Sequence, residues 1–252
     1  SLLRCSTGSS ILDDLFLGGI ETQAVTEFYG EFGSGKSQIC HTLCIIAGQP
    51  IEARGLNSGV IYIDTEGTFR PERLEQIARA RNIDPSYALK NVAVCKVYNS
   101  AHLELIVKNL GKYVDDYKAK LIVIDSIISL HRAEFSGRGT LADRQQRLNS
   151  IMHKLLRIAE IYNVAIIVTN QVQSAPDTFF GDPTKPTGGN VIGHASTYRV
   201  YLRKSGENRV ARMIDSPYHP YADVRFTLNE KGVDDIEEMK KSSKKADLSK
   251  DD

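Results

Sequence analysis

Residues 30–37 read GEFGSGKS and satisfy GxxxxGK[ST] at every fixed position. The apolar run AVTEFY precedes them and SQICHTLCIIA follows, so the motif sits between a buried strand and a helix, as a phosphate-binding loop requires. Glycines at 30, 33 and 35 let successive backbone N–H groups curl around a triphosphate, and the helix N-terminus adds partial positive charge. Lys36 is the one cation expected at the β- and γ-phosphates, and Ser37 offers a hydroxyl to a divalent cation. The candidate nucleotide site is therefore Gly30, Glu31, Phe32, Gly33, Ser34, Gly35, Lys36, Ser37 and the adjoining Gln38, with ATP and Mg²⁺ as cofactors. A chance glycine turn ahead of Lys-Ser would explain neither the strand nor the helix.

On either side of the loop the pattern alternates. Short β-branched runs at residues 24–29, 60–64, 92–97, 121–125 and 165–170 are separated by helical patterns, which predicts an α/β fold with a mostly parallel central sheet and helices on both faces. The helix over residues 141–162 carries Leu148, Ile151, Met152, Leu155, Leu156, Ala159 and Tyr162 at helical spacing. Close-set strands at 198–203, 209–214 and 224–228 predict an antiparallel C-terminal extension of the sheet. One domain is expected over residues 1–235, and residues 236–252, polar and without periodicity, read as a disordered tail. The start at Ser1, without Met and inside STGSSILDDLFLGGIETQ, suggests that a further segment precedes these residues.

Composition narrows the function classes. The formal charge is +1, so affinity for nucleic acid must come from local clusters of Lys and Arg. Four cysteines, at 5, 40, 44 and 95, form no C-x-x-C pair, and no secretory leader is visible, which points to an intracellular protein. Cys40 and Cys44 lie one helical turn apart in an apolar helix, a pattern of burial more than of metal ligation. No apolar run approaches the roughly 20 residues a membrane span needs.

In open α/β sheets ligands bind beyond the carboxyl ends of the strands. LIVID ends in Asp125, placed to support Mg²⁺; YIDTEGTF puts Glu66 just past a strand, where it could orient or deprotonate water; IIVTNQ delivers Asn170 and Gln171, amides able to sense the γ-phosphate. Each alone could be a strand-end cap. Together with the loop they describe an ATP-hydrolysing site.

GEFGSGKS, DTEGTFRPERL, LIVIDS, HRAEFSGRGTLADRQQRL, TNQV, FFGDPTKPTGGN and GHAST, in that order, resemble the ATPase core of the RecA-type recombinases, closest to archaeal RadA and its eukaryotic strand-exchange relatives. The resemblance runs over about residues 6–235. It implies a DNA-dependent ATPase of homologous recombination and DNA repair that forms helical filaments on single-stranded DNA, pairs it with double-stranded DNA, and sandwiches ATP between neighbouring subunits. By position it implies that Glu66 is the hydrolytic carboxylate, that Arg73 packs on the adenine, and that Gln171 relays the γ-phosphate state to a second DNA loop. Across the subunit boundary it implies a γ-phosphate sensor at His194 and a cap on the neighbour's ATP from Asp215 and Pro220. A cytoplasmic or nucleoid location follows if the source is archaeal, a nuclear one if eukaryotic.

DNA contacts have independent support. Residues 131–157 hold six Lys or Arg, Arg132, Arg138, Arg144 and Arg147 among them, against Glu134 and Asp143, and Arg138 lies between two glycines where a loop could follow a phosphate backbone. Lys154 and Arg157 read as an ordinary solvated helix face. A second loop, residues 172–190, is long and rich in Gly and Pro, with Phe179, Phe180, Lys185, Gly188 and Gly189.

The chain departs from the family's pattern in three places. Ala175 stands where relatives commonly carry Arg; the cap reads His219-Pro220-Tyr221 in place of Leu-Pro-Glu; and no Phe-x-x-Ala tether occurs in the sequence. The acceptor pocket for that tether maps to Ile61, Ala93, Cys95, Ile106 and Leu110, which would then be open to Phe-x-x-Ala-bearing mediators or to a neighbour once an upstream segment is present. Two other functions fit parts of the sequence. A paralogue could bind ATP and recombinase subunits without exchanging strands, and a ring ATPase acting on proteins would need neither the GRG nor the GGN loop.

Overall fold

The computed structural model describes residues 1–134, 141–172, 196–217 and 223–248, with the side chains of residues 132–134 outside that description. The chain opens with β1 (Arg4–Cys5), α1 (Ser10–Leu15) and β2 (Ile20–Glu21), β1 and β2 forming a small antiparallel pair. Then come β3 (Ala24–Gly30), α2 (Lys36–Ala47), β4 (Gly59–Asp64), α3 (Pro71–Ala80), α4 (Pro85–Lys90), β5 (Val92–Lys96), α5 (Ser100–Lys108), α6 (Leu110–Tyr117) and β6 (Ala119–Asp125). After α7 (Ser129–Glu134), α8 (Leu141–Tyr162) leads to β7 (Ala165–Gln171). The described chain closes with β8 (Tyr198–Ser205), β9 (Asn208–Asp215), β10 (Asp223–Asn229), β11 (Gly232–Asp234) and α9 (Glu237–Leu248).

The main sheet has the order β11-β10-β9-β8-β3-β7-β6-β4-β5. From β5 to β8 the pairings are parallel, and from β8 to β11 they are antiparallel. The burial of the strands explains the division. Every residue of β3 and β4 is buried, as a strand covered on both faces demands, whereas β8 alternates buried and half-buried positions and has only one face on the core. Two apolar layers result. One packs Ile39, Leu43, Phe28, Tyr62, Leu12 and Phe226 on the α2 face; the other packs Ile63, Ile122, Ile124, Val107, Met152 and Leu155 on the α8 face.

Leu148, Ile151, Met152, Leu155 and Ala159 are the buried stripe of α8, with Leu156 and Tyr162 partly buried beside it. The helix ends as Asn163 turns to φ 53°, and the Val164 amide donates to the Ala159 carbonyl (3.1 Å).

The strand and helix expectations agree with the structure to within one or two residues, while β1, β2 and β11, only two or three residues each, escaped the sequence pattern. The tail differs from its expectation. Residues 237–248 form α9, none of them buried, held to the core by Lys240 Nζ, which donates to Asp234 Oδ2 at 2.8 Å and to Glu237 Oε1 at 3.2 Å. Glu237 and Glu238 in its first turn and Lys245 in its last complement the helix dipole, which a reading based on hydrophobic periodicity does not register. Among the described residues no helix is long and apolar enough to cross a membrane.

Candidate nucleotide site

The loop after β3 is held in shape by two glycines in particular. A Cβ on Gly30 would lie 2.3 Å from the Leu202 carbonyl oxygen of β8, so no other residue fits that close approach. Gly35 caps α2 at φ 108° and gives it no side-chain cap, which leaves the first-turn amides turned towards the loop without a side-chain acceptor. That is the arrangement an anion completes. Lys36 Nζ reaches back over the loop to the carbonyls of Gly30 (2.7 Å) and Glu31 (2.9 Å). Burial pulls its ammonium below the usual value, while the charges of Asp125 and Glu66 pull the other way.

Asp125, at the end of β6, is buried and accepts four hydroxyl hydrogen bonds. Ser37 (2.7 Å), Tyr62 (2.8 Å) and Thr68 (2.9 Å) donate to Oδ2, and Thr169 (2.6 Å) donates to Oδ1. Four donors fix the carboxylate in place, and the Ser37 oxygen keeps lone pairs for a cation. Among the described residues no group of three His, Cys, Asp or Glu side chains is placed to hold a metal by itself. The oxygens of Ser37 and Asp125 fit Mg²⁺, a hard ion that completes its shell with phosphate oxygens and water. Cys40 and Cys44 are buried in the core beside the loop.

Glu66 owes its position to Asp64, a residue the sequence analysis passed over. Asp64 Oδ1 accepts from the amides of Glu66 (3.1 Å), Gly67 (2.8 Å) and Thr68 (3.2 Å), and Oδ2 from that of Phe69 (3.1 Å). Thr65 ties this turn to the β6 end, donating to the Ser126 carbonyl (2.7 Å) and accepting from the Ser126 amide (2.8 Å). The signal was present in DTEG after a strand, since Asp commonly accepts from amides just downstream of it. Asp64→Ala should therefore uncouple Glu66 from the site. Turnover is expected to fall at least tenfold, and stability by about 2–3 kcal/mol, the usual cost of orphaning partly buried amides. Thermal melts and steady-state kinetics would check both.

Glu66, Lys36, Ser37, Asp125 and Gln171 line one cavity of about 490 Å³. Gln171 lies in register with Gly30, whose carbonyl also accepts from the Val172 amide (3.3 Å), so the end of β7 is joined directly to the phosphate loop. Asn170, expected to share this role, points the other way by strand alternation; its Nδ2 donates to buried Glu27 (3.4 Å). Lys36 is not the only cation here. Arg70 and Arg209 line the same cavity.

The Rad51 family profile matches residues 1–236. The chain belongs to the Rad51 family. It is 56% identical over 248 residues to the DNA repair and recombination protein RadA of Cenarchaeum symbiosum (strain A), an alignment covering 98% of this chain and 62% of that relative. The chain thus spans less than two thirds of the relative's length.

The remaining site residues of this Rad51-family core fall in three groups. Arg73 lies beside the phosphate cavity, lining a second concavity of about 490 Å³ with Ser37, Gln38 and Thr68. Its guanidinium donates to Gln38 Oε1 (2.8 Å), the Asn229 carbonyl (2.7 Å) and Gln76 Oε1, which fixes it in place. Next to it, the Arg70 amide donates to His41 Nε2 (3.0 Å), so the proton sits on Nδ1 and goes to the Ser37 carbonyl (2.6 Å).

Arg144 is in the first turn of α8, half-buried, and Arg132 lies in α7. Asp215 ends β9, exposed and not among the residues lining the phosphate cavity. Arg138, Lys185, Gly188, Gly189, His194 and Pro220 lie outside the described residues.

The residues matched to the partner pocket do come together. Ile61 pairs with Ala93 and Ile63 with Cys95 on adjacent strands, and Ile106 and Leu110 pack in the same apolar layer. Leu110 is fully buried. β5 is the last strand in the sheet order among the described residues, and Val94, Tyr98 and Leu105 are exposed around it.

Proposed function

We propose that this chain is the ATPase core of a DNA strand-exchange recombinase, which binds Mg-ATP at residues 30–38, hydrolyses it in response to DNA, and works as a filament in recombination and repair. The observation that carries the proposal is the convergence of Lys36, Ser37, Asp125, Glu66 and Gln171 on one cavity in a Rad51-family chain. When bound, Mg²⁺ supplies positive charge to the γ-phosphoryl oxygens. Lys36 exchanges two loop carbonyls for phosphate oxygens, charge-assisted bonds stronger than the ones it leaves. Glu66, on the turn built by Asp64, orients water and takes its proton, and Gln171 conveys the γ-phosphate state through the Val172–Gly30 bond towards the residues that follow.

The site is open on one side. Phe32, 95% exposed at the loop tip, offers an apolar contact to a neighbouring copy, whose His194, Asp215 and Pro220 would complete the ATP site. Arg132, Arg138, Arg144, Lys185, Gly188 and Gly189 would follow single- and double-stranded DNA. The pocket between β4, β5 and α5 would take a Phe-x-x-Ala segment, from a neighbour or from a mediator. A paralogue that binds ATP without turnover would not need the Asp64-built turn under Glu66.

Fluorescence anisotropy on a single-stranded oligonucleotide tests the proposal. ATP should tighten binding, salt should weaken it steeply, and Arg138→Ala should lower the slope of log K against log salt by ~0.7, one lost phosphate contact. Binding unaffected by ATP and salt would contradict it.

A further inference from the structure

A second cation reaches the phosphate loop from β9. Arg209 is half-buried, and its Nε donates to the Gly33 carbonyl (3.1 Å) and its Nη1 to that of Asn208 (3.2 Å). Its stem lies over the loop's last glycine. A Cβ built on Gly35 would meet Arg209 Cγ at 3.7 Å, Arg209 Cδ at 4.0 Å and Leu228 Cδ1 at 3.6 Å. Lys36 therefore holds the loop at Gly30 and Glu31, and Arg209 holds it at Gly33. The two carbonyls use part of a guanidinium's five donors, and no carboxylate is ion-paired with Arg209 among the described residues. Arg70 differs, since its Nη1 is turned back to the carbonyls of Gly67 (2.7 Å) and Phe69 (3.0 Å) in its own turn. A guanidinium held at a phosphate loop by neutral carbonyls, with no ion pair to a carboxylate among the described residues, suits an anion of more than one phosphate.

We propose that Arg209 is a positioning residue for the nucleotide, bracing the loop at Gly33 and giving the phosphate groups a second cation from the same chain. The inference rests on the Mg-ATP reading above and adds a residue some 170 positions away from the motif.

Calorimetry with Mg-ATP, Mg-ADP and adenosine on the parent, Arg209→Met and Arg209→Lys tests it. Met keeps an unbranched stem over Gly35 and removes the charge and donors, so the fold should persist. Met should weaken both nucleotides about tenfold, the scale of one charge-assisted bond, with adenosine unchanged and Lys recovering part of the loss. Equal Mg-ATP affinity in parent and Met would overturn the inference, as would an adenosine loss as large as the ATP loss, the mark of a purely structural brace. A parent that fails to bind Mg-ATP would overturn the nucleotide reading as well; a parent that binds it as well as Met does overturns only this inference.

Discussion

Glu66→Gln should bind Mg-ATP nearly as tightly as the parent and lose about 10²- to 10⁴-fold in turnover, the range expected when a positioned base is removed. The substitution keeps size and hydrogen-bonding reach. The turn beneath it is made by Asp64 accepting four backbone amides, none of which depends on the Glu66 side chain, so the cavity should keep its shape. What changes is the capacity to accept a proton. Single-turnover kinetics with bound ATP separates this from a binding defect. A Gln variant that turned over at the parent rate would place the catalytic carboxylate elsewhere.

Lys36→Ala should produce the largest loss of affinity, about a hundredfold for Mg-ATP, because two charge-assisted bonds to phosphate at roughly 1.5 kcal/mol or more each disappear. Some binding should survive. The first-turn amides of α2 remain, and Arg70 and Arg209 line the same cavity, so the loss should be partial. Adenosine affinity should hardly move, since Arg73 and Gln38 are bonded to each other and not to Lys36. Calorimetry on the pair of ligands gives the answer, and equal losses for both would mean that Lys36 shapes the loop without meeting phosphate.

Much of this site was legible because its parts are local in sequence. A glycine loop, its lysine and the strand-end carboxylates each announce themselves within a few residues, and a buried strand such as β4 shows as a short apolar run ending in its carboxylate. Direction was less legible. Asn170 and Gln171 are neighbours in sequence, yet strand alternation turns one to Glu27 and the other to the cavity. Long-range approach was not legible at all: Arg209 meets Gly33 only because β8 pairs with β3 and carries β9 alongside. The helix α9 was missed for a different reason, since its stabilisation comes from end charges and one lysine tether and leaves no apolar stripe.

ATP turnover measured with and without single-stranded DNA is the most direct test of the whole account. Hydrolysis by the parent should rise when DNA is added, and in Glu66→Gln it should fall at least about a hundredfold under both conditions. Turnover that ignores DNA, or that stays at the parent rate in the Gln variant, would contradict a DNA-dependent ATPase built on Glu66.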